Sequence, residues 1–302
     1  MELVKLGEER LYLITKEHME SLDENMSPRH ESDYGMSNPI VARLVIQTRN
    51  LLKDSRFPSE VQYQVIAIYF SLHKRLLICN EALERLKMAL VAALERIPKS
   101  NDPRLKAVAF ILDLEGEADK ILYELKSVLR DVISILNPFY GKKFTEASAL
   151  YPRKANVPSD AQSWVTRKFG NNEPLGIFIA EEAGWVEELI RKRNAVEHPG
   201  GYSGTLNIEN IKLLDDGKML LPVWYRTGMP ETNMLTDLDA LIHSCFTYAE
   251  DFLALAIKAN PAFRQFMDIF RIPKDQIDNE CPINYKAGPS AEFYAKIKAE
   301  TP

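Results

Sequence analysis

Residues 58–97 have the sequence PSEVQYQVIAIYFSLHKRLLICNEALERLKMALVAALERI, and this stretch decides the class of fold. Its apolar side chains recur every three or four positions, which places them along one face of an α-helix. They are Val61, Val65, Tyr69, Leu72, Leu76, Cys79, Leu83, Leu86, Leu90, Leu94 and Ile97. Pro98 follows directly, and proline disrupts the interior of a helix. The stretch therefore predicts one very long amphipathic helix that ends near residue 97.

A second long helical pattern follows after a short link. Asp102 and Pro103 supply an N-cap residue and a proline in the first turn, which together are typical of a helix start. Apolar residues continue at helical spacing to about residue 136, and Pro138 comes soon after. Because the link is short, the two helices are expected to form an antiparallel hairpin, which would be at least about 45 Å long at 1.5 Å per residue.

Further helices are predicted on both sides of this hairpin. Apolar periodicity with proline or glycine boundaries indicates helices at residues 39–53, 160–168, 174–198 and 233–258, and a last short helix near residues 263–270. Residues 1–38 are polar and irregular, and residues 27–33 are typical of a loop or arm.

The periodicity changes from helical to alternating between the last two long helices. Residues 205–211 alternate apolar and polar side chains, Asp215-Asp216-Gly217-Lys218 is typical of a hairpin turn, and residues 219–225 form the returning strand. The sequence thus predicts a mainly α fold, an antiparallel bundle of long helices with a small β-hairpin inserted at about residues 204–226. The expected organisation is an N-terminal arm with a short helix (1–55), the helical bundle (56–262) and a C-terminal extension (263–302).

The composition is that of an ordinary globular protein. Hydrophobic residues make up 46 % and charged residues 27 % of the 302 residues, which argues against disorder. No apolar run reaches the roughly 18–20 uncharged residues of a membrane span, and the first residues lack the apolar core of a secretory signal. Three cysteines without a CxxC pair favour neither a disulfide framework nor structural zinc. A cytoplasmic protein without a membrane partner is expected.

The net charge restricts how the chain could bind nucleic acid. Proteins that bind nucleic acid through their overall field are usually basic, whereas this chain has a net charge of −5. Any RNA contact must therefore come from a local patch. The basic residues that flank the third long helix would suit such a patch or would only serve solubility: Arg153, Lys154, Arg167, Lys168, Arg191 and Lys192.

One run of residues carries a chemical signal, and it lies at the end of the helix predicted at 174–198. The run is Arg193-Asn194-Ala195-Val196-Glu197-His198. Because Pro199 and Gly200 disfavour further helix, His198 falls in or just after the last turn. At 100° per residue Asn194 and His198 share one face, and Arg193 lies to its side. These three side chains are expected to border one groove.

The run resembles the signature of the HEPN superfamily, in which an arginine and a polar residue, usually asparagine, precede a histidine, with four to six residues between arginine and histidine. The resemblance covers about residues 58–260 and implies a helical bundle with the motif near a helix end, commonly in a dimer that brings two copies together. Many members are metal-independent ribonucleases in toxin–antitoxin, abortive-infection or antiviral roles. One departure lies at Gly200, where some toxin members carry a tyrosine.

Elementary chemistry agrees with that implication. RNA cleavage without a metal needs a base, an acid and a cation near the phosphorus. His198 is the candidate base or acid, Arg193 the phosphate ligand, and Asn194 a hydrogen-bonding or orienting group, while Arg191 and Lys192 would add substrate-binding charge. No cofactor or metal is expected. Because each chain offers one such histidine, a complete acid–base pair calls for a homodimer.

Other hypotheses stay open at this stage. A non-catalytic helical module could bind a nucleotide, RNA or a protein partner such as an antitoxin through the same groove. A purely structural bundle would use the basic residues only to cap a helix. Asp113 and Glu117 share a helix face and would bind a metal only with ligands from another helix, so a solvated surface is the simpler interpretation of that pair.

Overall fold

The computed structural model describes residues 34–96, 109–154, 156–213, 218–291 and 293–294, together with the backbone of three short strands nearer the N-terminus. The described chain is mostly helical with a few small antiparallel strands, so the predicted mainly α class is confirmed. It divides into two compact units. The first contains residues 1–74, 135–143 and 249–302, and the second contains residues 75–134 and 144–248.

The N-terminal residues contain a small sheet that the sequence did not predict. Strands β1 (Glu2–Lys5), β2 (Leu11–Ile14) and β3 (Arg29–Ser32) pair antiparallel in the order β1-β2-β3. The prediction of a loop across residues 27–33 is therefore wrong for the third strand. The first two strands are rich in leucine, valine, tyrosine and isoleucine, which suit a pleated surface.

The first unit continues with a short helical segment. It consists of α1 (Pro39–Val41), a π-helical turn (Ala42–Ile46) and α2 (Gln47–Asp54), as predicted for residues 39–53. Asn38 starts it, because its side-chain oxygen accepts a hydrogen bond from the Ile40 amide at 2.9 Å.

The chain after residue 260 contains a strand where a helix was predicted. Helix α9 (Pro261–Arg264) is one turn long and is followed by strand β9 (Met267–Arg271). Strand β9 pairs antiparallel with β10 (Tyr285–Pro289), so the prediction of a helix near residues 263–270 is wrong beyond Arg264. The spaced apolar residues that suggested a helix serve a strand instead, because a distant partner strand supplies their backbone hydrogen bonds.

A buried polar network fixes this C-terminal hairpin within the first unit. The side-chain oxygen of Gln47 accepts hydrogen bonds from the backbone amides of Asn284 (2.6 Å) and Tyr285 (2.7 Å). The Gln47 amide donates to Glu250 at 2.9 Å, and Arg43 pairs with the same buried carboxylate. Helix α2, the hairpin and residue 250 are thus joined by hydrogen bonds among buried and partly buried side chains.

A long helix leads from the first unit into the second, and another long helix follows within the second unit. Helix α3 (Ser59–Glu95) confirms the helix predicted over residues 58–97. Helix α4 (Leu114–Ser134) runs antiparallel to it, since Arg75 pairs with Glu124 whereas Arg85, further along α3, pairs with Glu117, nearer the start of α4. The link predicted at residues 98–103 lies outside the described residues.

Helix α4 starts later than its sequence predicts. Residues 109–113 are not helical, so the predicted start at Asp102 does not extend continuously into α4. The reason is a contact from the β-hairpin: the Asn210 side chain accepts a hydrogen bond from the Ile111 amide (3.0 Å) and donates one to the Ile111 carbonyl (2.8 Å). The amide and the carbonyl of Ile111 thus bond to a side chain and not to the backbone of a helix. Helix α5 (Leu136–Tyr140) follows α4 and includes Pro138 in its first turn.

The remainder of the second unit contains the run from Arg193 to His198. A 3₁₀ turn (Ala147–Leu150), α6 (Asp160–Phe169) and α7 (Pro174–Glu197) are followed by the strands and then by α8 (Met234–Lys258), whose residues from 249 onward belong to the first unit. Strand β4 (Leu206–Glu209) pairs with β7 (Val223–Arg226), β5 (Lys212–Leu213) with β6 (Met219–Leu220), and β8 (Thr232–Asn233) with β7. The predicted hairpin is confirmed, with a break where Asn210 turns away; its tip, residues 214–217, lies outside the described residues.

Helix α8 is the one described helix that is long and apolar enough to cross a membrane by length and composition. The most apolar part of this helix is 61 % buried within the protein. That burial is typical of a core helix and is consistent with a soluble protein.

Candidate functional site

The site begins where α7 ends. The backbone amide of His198 still donates to the Asn194 carbonyl at 2.9 Å, but His198 itself has left the helical conformation (φ −134°, ψ 71°). Pro199 follows, and Gly200 has a φ of +76°, which glycine adopts without strain. The helix therefore stops at this point, and the His198 side chain is exposed at its carboxyl end.

Arg193 lies against helix α4. Its guanidinium carbon is 5.5 Å from the centre of the Tyr123 ring, and its Nη1 is 3.4 Å from Asp119 Oδ1. The side chain is only 12 % exposed. The guanidinium thus lies beside the ring and near the carboxylate, and its planar fork of donors could bind a phosphate.

Lys126 connects Asn194 with Glu197. Its ammonium donates to Asn194 Oδ1 at 2.9 Å and lies 3.3 Å from Glu197 Oε2. The hydrogen bond from Lys126 lowers the pKa of Glu197, and the charges of Arg193 and His198 lower it further. The Glu197 carboxylate is therefore ionised at neutral pH, beside the exposed imidazole.

These side chains line two adjoining depressions between α4 and α7. One has a volume of about 220 Å³ and is lined by Tyr123, Lys126, Ser127, Arg130, Glu146, Ala147, Arg193 and Glu197. The other has a volume of about 310 Å³ and is lined by Lys126, Asn194, Glu197, His198, Tyr202 and Ser203. Lys126 and Glu197 belong to both. We call the two depressions together the motif groove; Arg193 lines the first depression, whereas Asn194 and His198 line the second.

Comparison of the chain with protein-family models, curated proteins and solved structures finds no match. The chemistry of the motif groove must therefore carry the functional inference.

The two predicted substrate-binding residues lie on different sides of α7. Arg191 reaches toward the groove, because its Nη2 donates to the Tyr202 hydroxyl at 3.3 Å and its guanidinium lies 5.1 Å from that ring. Lys192 does not reach it. Its side chain is buried against the Trp224 ring and donates to Glu188 at 2.7 Å. Since residue 192 is rotated about 200° from residue 194 on the helix, Lys192 contributes to packing and not to the groove.

Four groove residues on α4 were not predicted from the sequence: Tyr123, Lys126, Ser127 and Arg130. Tyr123, Lys126 and Arg130 recur at spacings of three and four, which places them on one face of the helix. Asp119 precedes them by one turn and faces Arg193. The spacing of these polar side chains is visible in the sequence, but only the fold shows that this face of α4 lies against the residues of the motif.

The suggested acidic pair and the basic residues that flank α7 lie outside the motif groove. Glu117 of the suggested acidic pair accepts from Arg85 at 3.0 Å, and Asp113, with a φ of +55°, precedes the first turn of α4. Among the basic residues that flank α7, Arg153 is 3.8 Å from Asp160 and Lys168 lies over the Trp164 ring. These residues do not line the motif groove.

Proposed function

We propose that the protein is a metal-independent endoribonuclease of the HEPN type, which acts as a homodimer with a composite site. The observation that carries the proposal is that an exposed histidine, a largely buried arginine and a hydrogen-bonded asparagine line the two adjoining depressions of the motif groove. His198 lies at the end of α7, Arg193 is held against Tyr123, and Asn194 is held by Lys126. The HEPN resemblance supports the same assignment, and the mostly helical fold agrees with it.

The proposed reaction uses the RNA itself as the nucleophile. A base removes the proton of the 2′-hydroxyl, the 2′-oxygen bonds to phosphorus, and the bond from phosphorus to the 5′-oxygen breaks. An acid then protonates the leaving 5′-oxygen, so the products are a 2′,3′-cyclic phosphate and a 5′-hydroxyl end. Histidine suits both proton transfers near neutral pH, and the arginine stabilises the negative charge that builds up at phosphorus.

Two copies of the chain supply what one copy lacks. Each motif groove offers a single imidazole, whereas the reaction needs a base and an acid at the same time. In a homodimer with facing grooves, one His198 acts as base and the other as acid. By analogy with HEPN members, we assign the activity to cytoplasmic toxin or antiviral defence, with an antitoxin or another protein as a regulatory partner.

A second candidate is a non-catalytic module that binds RNA, a nucleotide or a protein through the same groove. The pairing of the cations favours it. Arg193 already faces Asp119, Arg191 pairs with Glu187, and Lys126 pairs with Glu197. A groove so balanced can bind an anion by exchanging partners and need not cleave it.

Cleavage of a mixed RNA pool in EDTA distinguishes the two candidates. The wild type should release cyclic phosphate ends, and His198→Ala should reduce the rate by roughly 100-fold or more, the range expected for loss of a general acid or base. His243→Ala is the matched control, because His243 is an exposed histidine on α8 of the same unit. No cleavage by any of the three proteins, or equal cleavage by His198→Ala and wild type, would rule out the ribonuclease.

A further inference from the structure

The larger part of the positive charge of the motif groove lies in the depression that His198 does not line. Lys126, Arg130 and Arg193 face Glu146 and Glu197 across a volume of about 220 Å³. Two further carboxylates lie beside this lining: Asp119 Oδ1 is 3.4 Å from Arg193, and Asp131 Oδ1 is 3.4 Å from Arg130. An anionic ligand can therefore bind where one of these cations is only weakly paired.

Arg130 is the cation that is most open to a ligand. Its side chain is 45 % exposed, and its Nε lies 3.4 Å from Asp131 Oδ1. This distance exceeds the 2.7–2.9 Å or so that charge-assisted hydrogen bonds adopt, so the contact is weak. A phosphate oxygen could replace it without breaking a strong ion pair. The same lining includes Ser127, whose hydroxyl can donate a further hydrogen bond.

An aromatic ring stands beside these cations. Tyr123 is half exposed, and its ring also borders the Arg193 guanidinium. An isolated phosphate ion has no planar group that could stack on that ring. A nucleotide would use both features, because its phosphate binds cations while its base stacks on an aromatic side chain.

We propose that this depression binds one nucleotide of an RNA strand, next to the bond that is cleaved. Its phosphate lies against Lys126 and Arg130, and its base stacks on Tyr123. The ligand identity rests on the proposed function, since RNA is the substrate named there. The depression is large enough for a phosphate and part of the ribose, and the exposed ring receives the base at its mouth.

The test measures binding without cleavage. A fluorescent 2′-O-methyl oligoribonucleotide lacks the nucleophilic hydroxyl, so its anisotropy reports binding alone. Arg130→Gln and Tyr123→Leu should each weaken binding by roughly tenfold, the size of one lost stacking or phosphate contact. Arg85→Gln should leave it unchanged, because Arg85 is equally exposed (46 %) on α3 but lies outside the groove. Wild-type affinity in both groove variants overturns the proposal.

A gain in affinity provides the control for misfolding. Glu146 is exposed and lines the depression, and its side chain does not cap the turn that follows it. Glu146→Gln should therefore tighten binding by roughly two- to threefold, because it removes one repulsive charge near the phosphate. Unfolding could not produce that result, and weaker binding by this variant contradicts the proposal.

Small ligands separate a nucleotide site from a plain anion site. Adenosine monophosphate should compete with the oligonucleotide more strongly than inorganic phosphate does, and Tyr123→Leu should remove the difference. Equal competition by the two ligands overturns the nucleotide assignment.

The cleavage and binding results together show which of the two proposals fails. If His198→Ala cleaves RNA normally while the binding results hold, the ribonuclease proposal fails and the nucleotide site stands. If cleavage depends on His198 while Arg130→Gln and Tyr123→Leu bind RNA normally, only the nucleotide site fails.

Discussion

At the scale of single residues, the orientation of Asn194 decides what the motif groove can bind. The Lys126 ammonium has only donors, so the atom that Asn194 turns toward it must be the carbonyl oxygen. The amide nitrogen of Asn194 is then directed away from Lys126, with two donors for a phosphate oxygen. Lys126 thus fixes the polarity of a side chain that could otherwise flip.

Lys126 variants separate this positioning effect from charge. Lys126→Met removes both the donor and the charge, and we expect RNA cleavage to fall by roughly 10- to 100-fold because the Asn194 amide loses its orientation. Lys126→Gln retains a donor for Asn194 and should keep more activity than Lys126→Met. The rates are measured on one oligoribonucleotide. Identical rates for the two variants would show that only the charge matters.

Glu188 makes a second residue-scale prediction, about stability. It accepts hydrogen bonds from Arg226 (2.6 Å) and Lys192 (2.7 Å), two side chains that are less than 11 % exposed. Glu188→Gln leaves both cations without a countercharge and should lower the free energy of unfolding by about 2 kcal/mol, less than for a fully buried pair because Glu188 is about one-third exposed. Urea denaturation measures this change.

The matched control for that prediction is the neighbouring residue. Glu187 pairs with Arg191 on the partly exposed face of α7, so Glu187→Gln should change the free energy of unfolding by less than about 1 kcal/mol. Equal losses for the two variants would contradict the special role of Glu188.

The pH dependence of this ion-pair cluster follows from Glu188. Partial burial would raise its pKa, but hydrogen bonds from Arg226 and Lys192 outweigh burial and lower the pKa below its usual range. A carboxyl group whose pKa is lower in the folded state stabilises the protein at neutral pH, and that contribution is lost as the pH falls through the lowered pKa. The difference in stability between wild type and Glu188→Gln should therefore shrink on acidification.

Lys192 shows why sequence alone misjudged one site residue. Three basic residues in a row, 191–193, gave no sign of which would point to the groove, and their helical rotation sends them in three directions. Only the positions of Trp224 and Glu188 decide that Lys192 is buried. For Asn194 and His198 the sequence was more informative, because a spacing of four residues at the end of the helix places both on one face, and both line the same depression.

At the scale of secondary-structure elements, helix ends were set by local chemistry in some places and by distant contacts in others. Helix α7 begins at Pro174 and ends before Pro199, both visible in the sequence. The start of α4 is different, because Asn210 binds both backbone groups of Ile111 from 99 positions further along the chain. Strand β9 likewise depends on β10, and no local pattern shows that pairing.

The Asn210 contact can be tested directly. Asn210→Ala removes two hydrogen bonds from the backbone of Ile111, a residue that is 1 % exposed, and should lower the free energy of unfolding by about 1–3 kcal/mol. Hydrogen exchange of the Ile111 amide should become faster. Asn207→Ala on strand β4 is the control, and an equal effect there would remove the special role of Asn210.

At the scale of the whole molecule, the proposed function requires two chains per site. We expect activity to depend on the square of the wild-type fraction when wild type is mixed and re-equilibrated with His198→Ala at constant total protein. An equal mixture should then retain about a quarter of the activity, because a heterodimer lacks one histidine. Retention of about half would show that each chain acts alone.

The network around Gln47 has a consequence for synthesis on the ribosome. Gln47 receives its backbone partners from Asn284 and Tyr285, 237 and 238 positions later. At about 5–20 residues per second, this part of the chain follows α2 by roughly 10–50 seconds. During that interval α1 and α2 emerge with apolar side chains that belong in a core and a glutamine that lacks its partners. The newly made N-terminal segment is therefore expected to be a client of ribosome-associated chaperones until the last strand has been translated.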